Sequence, residues 1–238
     1  VKDVLKSVYS IIKIFYKNSL NDAVDLNVSS PNKKIFNNVT FGKNVLLGKN
    51  VKIGKNTLIG HNTIIESNVV LGSNCIIGNN ILIKNSIIGN DVRILDGSVI
   101  GKKGFGFFPN QNKNVRYPHI GMVIIEDNVE IGSNNTIDRG SISNTYIGKN
   151  SFLDNQVHIA HNVRIGKNCI ITGQVGFAGS CIVGDFVQIG GQAGISGHLK
   201  IGNKVKIGGG SGVINDIPEN TKVMGYPAKN IRSFLKNK

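Results

Sequence analysis

The chain has 238 residues and a formal net charge of +14 at pH 7, with 28 Lys and Arg residues against 14 Asp and Glu residues. This length predicts one domain of ordinary size with small appendages. The charge favours an anionic partner such as a phosphorylated ligand, an acidic carrier protein or a membrane surface. We expect no nucleic-acid binding, because the basic residues form no evident groove and are not interleaved with aromatic residues.

Residues 1–17 predict an amphipathic helix, because apolar residues recur at positions 1, 4, 5, 8, 11, 12, 15 and 16. The segment is too short and too charged to cross a bilayer, and it has no cleavage-site pattern of a signal peptide. We expect the helix to dock on the end of the following domain, and contact with a membrane surface is the alternative. Residues 18–34 predict a linker, so residues 1–34 form the first unit.

From Phe41 onward the sequence repeats every six residues, as in FGKNVL, LGKNVK and IGKNTL. The aliphatic positions predicted to point inward begin at Ile35, slip by one residue at Ile88, resume at Ile125, include Ile142 and end at Val213. Six is not a helical period, whereas a short branched run ended by Gly-x-Asn fits a strand and a turn. Three such strands close a triangular coil of 18 residues.

Residues 35–218 therefore predict an all-β parallel β-helix, in which coils stack about 4.8 Å apart and bury one continuous core. The periodicity does not set the hand, and the usual crossover rule would make it right-handed. Residues 219–238 predict a C-terminal cap with a short helical tail. Cys75, Cys169 and Cys181 each follow an inward position by four residues, so they predict buried packing residues without metal spacing. Unpaired cysteines fit a reducing, cytoplasmic setting.

A loop at residues 102–122 interrupts the repeat, and an excursion of this length is either functional or mobile. Phe105 and Phe107 are flanked by glycines in this loop. Leaving them in water would be costly. They therefore predict either packing against a neighbouring subunit or the lining of an apolar substrate channel.

The candidate chemistry lies between Leu153 and His198. Gly179 follows His161 by one coil of 18 residues, and His198 is one residue beyond the position two coils on. We therefore expect Gly179 to stack on His161, with His198 near the same edge about 9–10 Å away. Asp154 precedes His161 by seven residues.

An imidazole near a carboxylate suits a general base, and a glycine beside it lets a reacting carbonyl approach a backbone N–H. Acyl transfer to an amine or a hydroxyl needs these two elements. An outward histidine is more often a solvated surface residue. Here, however, the repeats IAHNVR, FAGSCI and ISGHLK replace the usual Gly-Lys-Asn filler, which favours a functional role.

Several segments resemble the UDP-3-O-acylglucosamine N-acyltransferases of lipid A synthesis: GFGF (104–107), TIDRGSI (136–142), DNQVHIAHNVRIG (154–166), GQVGFAGS (173–180) and GGQAGISGH (190–198). The resemblance runs from about Ile35 to Ala228. It implies a left-handed β-helix, a cytoplasmic homotrimer and active sites between subunits. It also implies transfer of a 3-hydroxyacyl group from acyl carrier protein to the 2-amino group of the UDP-sugar acceptor.

The resemblance assigns roles to single residues. It makes His161 the general base, Asp154 the residue that orients it and Gly179 the oxyanion backbone position. The implied substrate-binding residues are Asn155, His158, Gln174, His198, Phe105 and Phe107. No metal and no tightly bound cofactor are implied, since the phosphopantetheine arm of acyl carrier protein delivers the acyl group.

Other activities stay open at this point. The family places a nucleotide-binding domain before the β-helix, and this chain begins with Val and has only residues 1–34 there. We expect either a chain trimmed upstream or a shortened homologue, and the second case favours an acyl-CoA-dependent sugar N-acyltransferase. A trimeric zinc carbonic anhydrase-like protein would use His158, His161 and His198 as ligands but leave Asp154 and Gly179 without a role. A structural or ice-binding β-helix would show flat Thr arrays, where this chain has Lys and Asn.

Overall fold

The computed structural model describes residues 3–32, 34–108 and 113–236, with no side-chain description for Phe108. Val1 of the predicted helix, residues 109–112 of the predicted loop and residues 237–238 of the predicted tail lie outside the described residues. The two helices are α1 (Val4–Phe15) and α2 (Ile231–Lys236).

Short strands fill the chain between the helices. In chain order they are β1 (Val39–Phe41), β2 (Leu46–Leu47), β3 (Lys52–Ile53), β4 (Thr57–Ile59), β5 (Ile64–Ile65), β6 (Val70–Leu71), β7 (Ile76–Ile77), β8 (Leu82–Ile83), β9 (Ser86–Ile88), β10 (Arg93–Ile94), β11 (Val99–Lys102), β12 (Phe107–Phe108), β13 (Val115–Arg116), β14 (Val123–Ile125), β15 (Glu130–Ile131), β16 (Thr136–Asp138), β17 (Thr145–Ile147), β18 (Phe152–Leu153), β19 (His158–Ile159), β20 (Arg164–Ile165), β21 (Ile170–Ile171), β22 (Gly176–Phe177), β23 (Ile182–Val183), β24 (Gln188–Ile189), β25 (Gly194–Ile195), β26 (Lys200–Ile201), β27 (Lys206–Ile207), β28 (Gly212–Val213), β29 (Lys222–Met224) and β30 (Lys229–Asn230).

The strands form three long sheets, one for each face of a triangular coil. Face 1 runs β1-β4-β7-β10-β15-β18-β21-β24-β27-β29-β30, face 2 runs β2-β5-β8-β11-β16-β19-β22-β25-β28, and face 3 runs β3-β6-β9-β14-β17-β20-β23-β26. Neighbouring strands within a face are parallel, except that β29 and β30 are antiparallel. The predicted left-handed parallel β-helix is therefore confirmed, with short helices at the two ends.

The period of six has a direct physical basis in these strands. The last residue of nearly every two-residue strand points inward, and Ile65, Ile77 and Ile159 are fully buried. Asn follows in the turn with a positive φ, for example 58° at Asn50, a conformation that Asn adopts more readily than most residues. The three cysteines are buried and free, as the sequence predicts.

Two of the residues predicted to point inward do not. Ile35 is 71% exposed because the coils begin only at β1, and Ile142 is 56% exposed. Thr136 pairs with His158, a spacing of 22 residues instead of 18, so this coil holds four additional residues. Ile142 lies within that enlarged corner and has no strand position.

Helix α1 packs less on the β-helix than the sequence predicts. Its one buried residue is Ile12, whereas Leu5, Ile11 and Phe15 on the same apolar face are 55%, 54% and 75% exposed. The predicted docking on the end of the β-helix is therefore wrong for most of this face. Within the described ranges, neither helix has the length and apolar character needed to span a membrane.

The predicted linker instead packs along the β-helix. Asp25 accepts hydrogen bonds from the N–H and the hydroxyl of Ser67, at 2.9 and 2.5 Å, and these bonds with those from Asn27 hold the pKa of Asp25 well below its usual range. The carbonyl of Ser19 accepts the N–H of His119 at 3.2 Å. This segment thus fastens the loop at residues 102–122 against the coils.

Candidate active site

A groove of about 770 Å³ runs along face 2 beside His158 and His161. The outward residues of this face pair in register from coil to coil and form a column. Along this column the side chains are bulky at first and are replaced by glycines further on. The column reads Leu46, Ile64, Leu82, Val99, Thr136, His158, Gly176, Gly194 and Gly212. The groove therefore begins where the side chains stop, one coil after His158.

The floor of this groove is open. A Cβ placed on Gly176 or Gly194 would have no atom of another described residue within 4 Å, so no described residue fills the space above either glycine. The ring of Tyr226 lies across Gly212 and closes the far end. An extended ligand of small cross-section fits this shape, with His161 at one end and Tyr226 at the other.

His161 lies in the turn that follows β19, and its neighbours define its tautomer. Its Nδ1 is 3.0 Å from Oδ1 of Asn162. That oxygen also accepts the N–H of Ser141 at 3.0 Å, while the Asn162 amide nitrogen donates to the carbonyl of Ser143 at 2.9 Å. Because Oδ1 of Asn162 is thus an acceptor, the neutral tautomer that fits this contact carries its proton on Nδ1 and its lone pair on Nε2.

Gly179 lies against the imidazole, as the 18-residue register predicts. A Cβ on Gly179 would be 2.6 Å from Cε1 and 2.8 Å from Nε2 of His161, so only glycine leaves room for the ring. The basic Nε2 atom and the backbone of Gly179 therefore lie side by side. This is the pairing of a base and a backbone donor that acyl transfer requires.

Among the described residues of one chain, no hydrogen bond or ion pair joins Asp154 to His161, and its role in orienting the imidazole stays a prediction. It precedes the turn between β18 and β19, one corner before His161, and its Oδ1 accepts the N–H of Asn155 at 2.7 Å. Residues seven apart fall on successive corners of a coil whose side is six residues long. Within the chain, the side chain that contacts Nδ1 of His161 and orients its imidazole is that of Asn162.

The other predicted site residues divide between two corners. Asn155 and Gln174 lie with Asp154 at a second, smaller groove, where Gln174 bonds with Gln156 at 2.8 Å. His198 is at the His161 corner, where its N–H donates to the carbonyl of Gly179 at 3.0 Å. His158 lies on the main groove with Nδ1 2.8 Å from the hydroxyl of Thr136.

The two phenylalanines of the loop stack on each other at the groove entrance. Phe105 lines the groove, and its ring centroid is 5.0 Å from that of Phe107 in an edge-to-face arrangement. The guanidinium of Arg116 lies 5.4 Å from the centroid of Phe105. Phe105 is therefore the aromatic residue of this pair that faces the groove.

Two buried residues behind the site were not found by the sequence analysis. Asp138 is 1% exposed, one of its oxygens is 2.6 Å from Nζ of Lys102, and burial raises the pKa of its carboxyl. His119 is also 1% exposed and its ring packs edge-to-face on His161, with centroids 5.3 Å apart. The loop that carries His119 lacks the six-residue repeat, so the sequence does not predict where His119 lies. Asp138 belongs to the TIDRGSI segment, but its burial does not follow from the repeat.

Across the described residues, no group of three or more His, Cys, Asp and Glu side chains is arranged to hold a metal ion. A zinc site built from His158, His161 and His198 would therefore need ligands from more than one subunit.

The chain is similar to known proteins over parts of its length. Two family models match parts of the chain: the GMPPB C-terminal domain at residues 24–105, and the bacterial transferase hexapeptide (six repeats) at residues 144–179. A UDP-3-O-acylglucosamine N-acyltransferase of Agrobacterium fabrum is 52% identical over 151 residues, which cover 63% of this chain. One of Rhizobium rhizogenes is 52% identical over 77 residues, or 32% of this chain.

Over the matched part of its length, the chain is homologous to proteins named UDP-3-O-acylglucosamine N-acyltransferase. The resemblance drawn from its motifs is thereby confirmed. The matches span 42% and 22% of these two N-acyltransferases, so the chain covers less than half the length of the relatives it matches.

Solved structures of related acyltransferases share the fold. A UDP-N-acetylglucosamine acyltransferase from Bacteroides fragilis is 28% identical with a TM-score of 0.55, covering 84% of this chain and 74% of that one. A UDP-N-acetylglucosamine O-acyltransferase from Moraxella catarrhalis is 26% identical with a TM-score of 0.53, covering 84% and 76%. The β-helix of this chain is thus shared with these UDP-N-acetylglucosamine acyltransferases.

The buried His119 predicts a specific dependence of stability on pH. Burial, with the nearby His161, lowers its pKa from 6.5 to about 4. Between these values the unfolded chain binds a proton that the folded chain does not, so the free energy of unfolding falls as the pH falls. The free energy of unfolding is unaffected by protonation of His119 above pH 6.5. Its loss through His119 reaches roughly 3 kcal/mol once the pH has fallen to about 4.

His119→Phe keeps an aromatic ring and removes the titrating group. We expect its free energy of unfolding to fall less than that of the wild type between pH 6.5 and 4, as measured by denaturant unfolding at several pH values. Equal pH dependence in the two proteins would show that His119 is not held neutral.

Proposed function

We propose that this protein transfers a 3-hydroxyacyl group from acyl carrier protein to the 2-amino group of a UDP-3-O-acylglucosamine, in the synthesis of lipid A. One observation carries the proposal: Nε2 of His161 lies beside the Gly179 backbone, at the head of an open groove with a glycine floor. The names of the homologous proteins support the same reaction class.

In the proposed reaction, the nitrogen of the acceptor amine attacks the thioester carbonyl, and Nε2 of His161 takes a proton from that amine. Asn162 stabilises the resulting imidazolium, since its Oδ1 accepts the Nδ1 proton at 3.0 Å. The tetrahedral intermediate collapses with cleavage of the C–S bond and formation of the amide. The departing thiolate then takes the proton back from His161, which restores the neutral base.

The N–H of Gly179 is the proposed donor to the oxyanion of that intermediate. Within the part of the chain that the structure describes, this N–H has no acceptor, although the carbonyl of the same residue accepts from His198. A backbone donor that needs no rearrangement contributes most to the transition state, where the negative charge develops.

The groove and the charge suit the proposed donor. A phosphopantetheine arm with its acyl chain is extended and narrow, as is the space over Gly176 and Gly194. The net charge of +14 favours the phosphate of the arm and an acidic carrier protein. The protein itself then needs no tightly bound cofactor.

We further propose a homotrimer whose active sites lie between subunits. Asp154, Asn155 and Gln174 lie one corner away from His161, at a separate groove. If these residues take part in the reaction, they do so most simply by facing His161 of a neighbouring subunit. A trimeric mass in solution is the expected result, and a monomeric mass with full activity would contradict it.

Blocking the groove tests its role as the donor site. Gly194→Leu places a side chain in open space, where Leu82 is tolerated in the same column, so the variant should fold. We expect kcat/KM to fall by roughly 10²-fold, because misplacement of a reacting group by about 1 Å costs that much. The matched control is Gln188→Leu, an outward position of the same coil on face 1, which should keep wild-type kcat/KM. Equal values for the two variants would exclude the groove from the reaction.

The decisive experiment is product mass from purified protein, 3-hydroxyacyl carrier protein and UDP-3-O-acylglucosamine. A new amide in this mixture is the expected result. An amide formed only from acyl-CoA would replace the carrier-protein donor, and no amide from either donor with a folded oligomer would overturn the proposed function.

A further inference from the structure

The turns of this β-helix follow a capping rule that spans neighbouring coils. The first residue of each two-residue turn is the capping position, and in many turns its N–H bonds to the side chain at the capping position one coil on. The Lys167 N–H donates to Asp185 at 2.9 Å, and the Asp185 N–H donates to Asn203 at 2.8 Å. Similarly, the Lys43 N–H donates to Nδ1 of His61 at 2.7 Å. Such turns are thus closed by a side chain from the next coil.

The rule is broken at the corner that carries the candidate base, as it is at the corner where Gly173, Gly191 and Gly209 occupy the capping positions. At the first of these corners the capping positions are His161, Gly179 and Gly197 in successive coils. Gly197 has no side chain to offer, and the Gly179 N–H consequently has no acceptor among the described residues. The amide proposed as oxyanion donor is uncapped because of a residue 18 positions later in the chain.

Neither backbone conformation nor packing explains glycine at position 197. Glycines with a positive φ in the described ranges are Gly97, Gly101, Gly210 and Gly225, so Gly197 has a conformation that other residues adopt. A Cβ there would lie 3.1 Å from the carbonyl oxygen of Gly179, which requires a shift of a few tenths of an ångström. Gly179 differs, because its Cβ would clash with His161.

We propose that Gly197 is a positioning residue that keeps the Gly179 N–H uncapped and free for the reaction. The inference rests on the proposed function for its catalytic part. An uncapped backbone donor forgoes a hydrogen bond in the resting protein, and the fold loses some stability by it. The same donor gains an oxyanion in the transition state. Activity and stability therefore oppose each other at this position.

The test is to restore the cap. Gly197→Asn supplies the amide oxygen that Asn203 supplies to Asp185 elsewhere in the fold. We expect kcat to fall by roughly 10²–10³-fold, the cost of losing one oxyanion donor, with KM nearly unchanged. We expect the melting temperature to rise by roughly 2–4 °C, as for one added hydrogen bond in a chain of this size.

Two controls separate the hydrogen bond from bulk. Gly197→Leu has nearly the shape of Asn without an acceptor, so it should keep the larger part of kcat and not raise the melting temperature. Gly209→Asn makes the same change at a capping position on another corner, where a Cβ would be 3.2 Å from the carbonyl oxygen of Gly191. It should leave kcat unchanged. Equal loss of kcat in Gly197→Leu and Gly197→Asn would reduce the effect to steric blocking and overturn the proposal.

Hydrogen exchange of the Gly179 amide gives a readout that does not depend on activity. We expect fast exchange in the wild type and slower exchange in Gly197→Asn alone. Unchanged exchange in that variant would overturn the capping relation. Slowed exchange with unchanged kcat would overturn the catalytic role of the amide. A wild type that transfers no acyl group would remove the proposed function, while the exchange result still decides whether Gly197 uncaps Gly179.

Discussion

His161→Ala is expected to reduce acyl transfer by roughly 10²–10⁴-fold, the usual contribution of a general base. The variant removes the Nε2 lone pair beside Gly179 and leaves the groove open, so KM should change little. Initial rates of amide formation at saturating donor and acceptor measure the effect directly.

The same variant should remain folded. Oδ1 of Asn162 keeps its two hydrogen bonds from Ser141 when the imidazole is removed. The variant loses the hydrogen bond between Nδ1 and Asn162 and the contact with the ring of His119, and aromatic pairs of this kind contribute about 0.5–1.5 kcal/mol. A near-normal unfolding midpoint with lost turnover separates catalysis from stability.

His61→Ala is the matched control for His161→Ala. His61 occupies the capping position of an ordinary repeat, where it accepts the N–H of Lys43 at 2.7 Å and lies away from the groove. We expect wild-type turnover from this variant. Turnover in His161→Ala equal to that in His61→Ala would refute the general-base role.

Ile159→Asp is expected to abolish the folded state. Ile159 is fully buried, between Ile137 and Phe177 in neighbouring coils. A carboxylate there has no cation and no hydrogen-bond donor in reach of the apolar column, so it costs several kcal/mol whether it ionises or takes up a proton. A domain with a total stability of about 5–15 kcal/mol loses most of that margin, together with the packing of the removed side chain.

Circular dichroism and size-exclusion chromatography of the Ile159→Asp variant check this expectation. Ile170→Asp makes the same chemical change at an outward position that is 44% exposed, and it should fold normally. A folded Ile159→Asp protein with the wild-type unfolding midpoint would contradict the inward register of face 2.

The amino-acid sequence by itself determined the repeating part of this protein. Strand length, core positions and the stacking of Gly179 on His161 all follow from a period of six and a coil of 18 residues, since translation along the axis relates equivalent residues. Counting residues is enough wherever the period holds. The same reasoning placed Cys75, Cys169 and Cys181 in the core. The hand of the coil was implied only by the family resemblance, since a period of six is compatible with either hand.

Only the tertiary structure shows how the chain is arranged in the segments that do not follow the six-residue period. The coil with four additional residues put Ile142 in solvent, and the aperiodic loop folded back to place His119 on His161. Asp154 is near His161 in sequence but one corner away in space, because a strand side separates them. The uncapped amide of Gly179 depends on what Gly197 lacks, and a missing hydrogen bond becomes visible only when every neighbouring coil is in place.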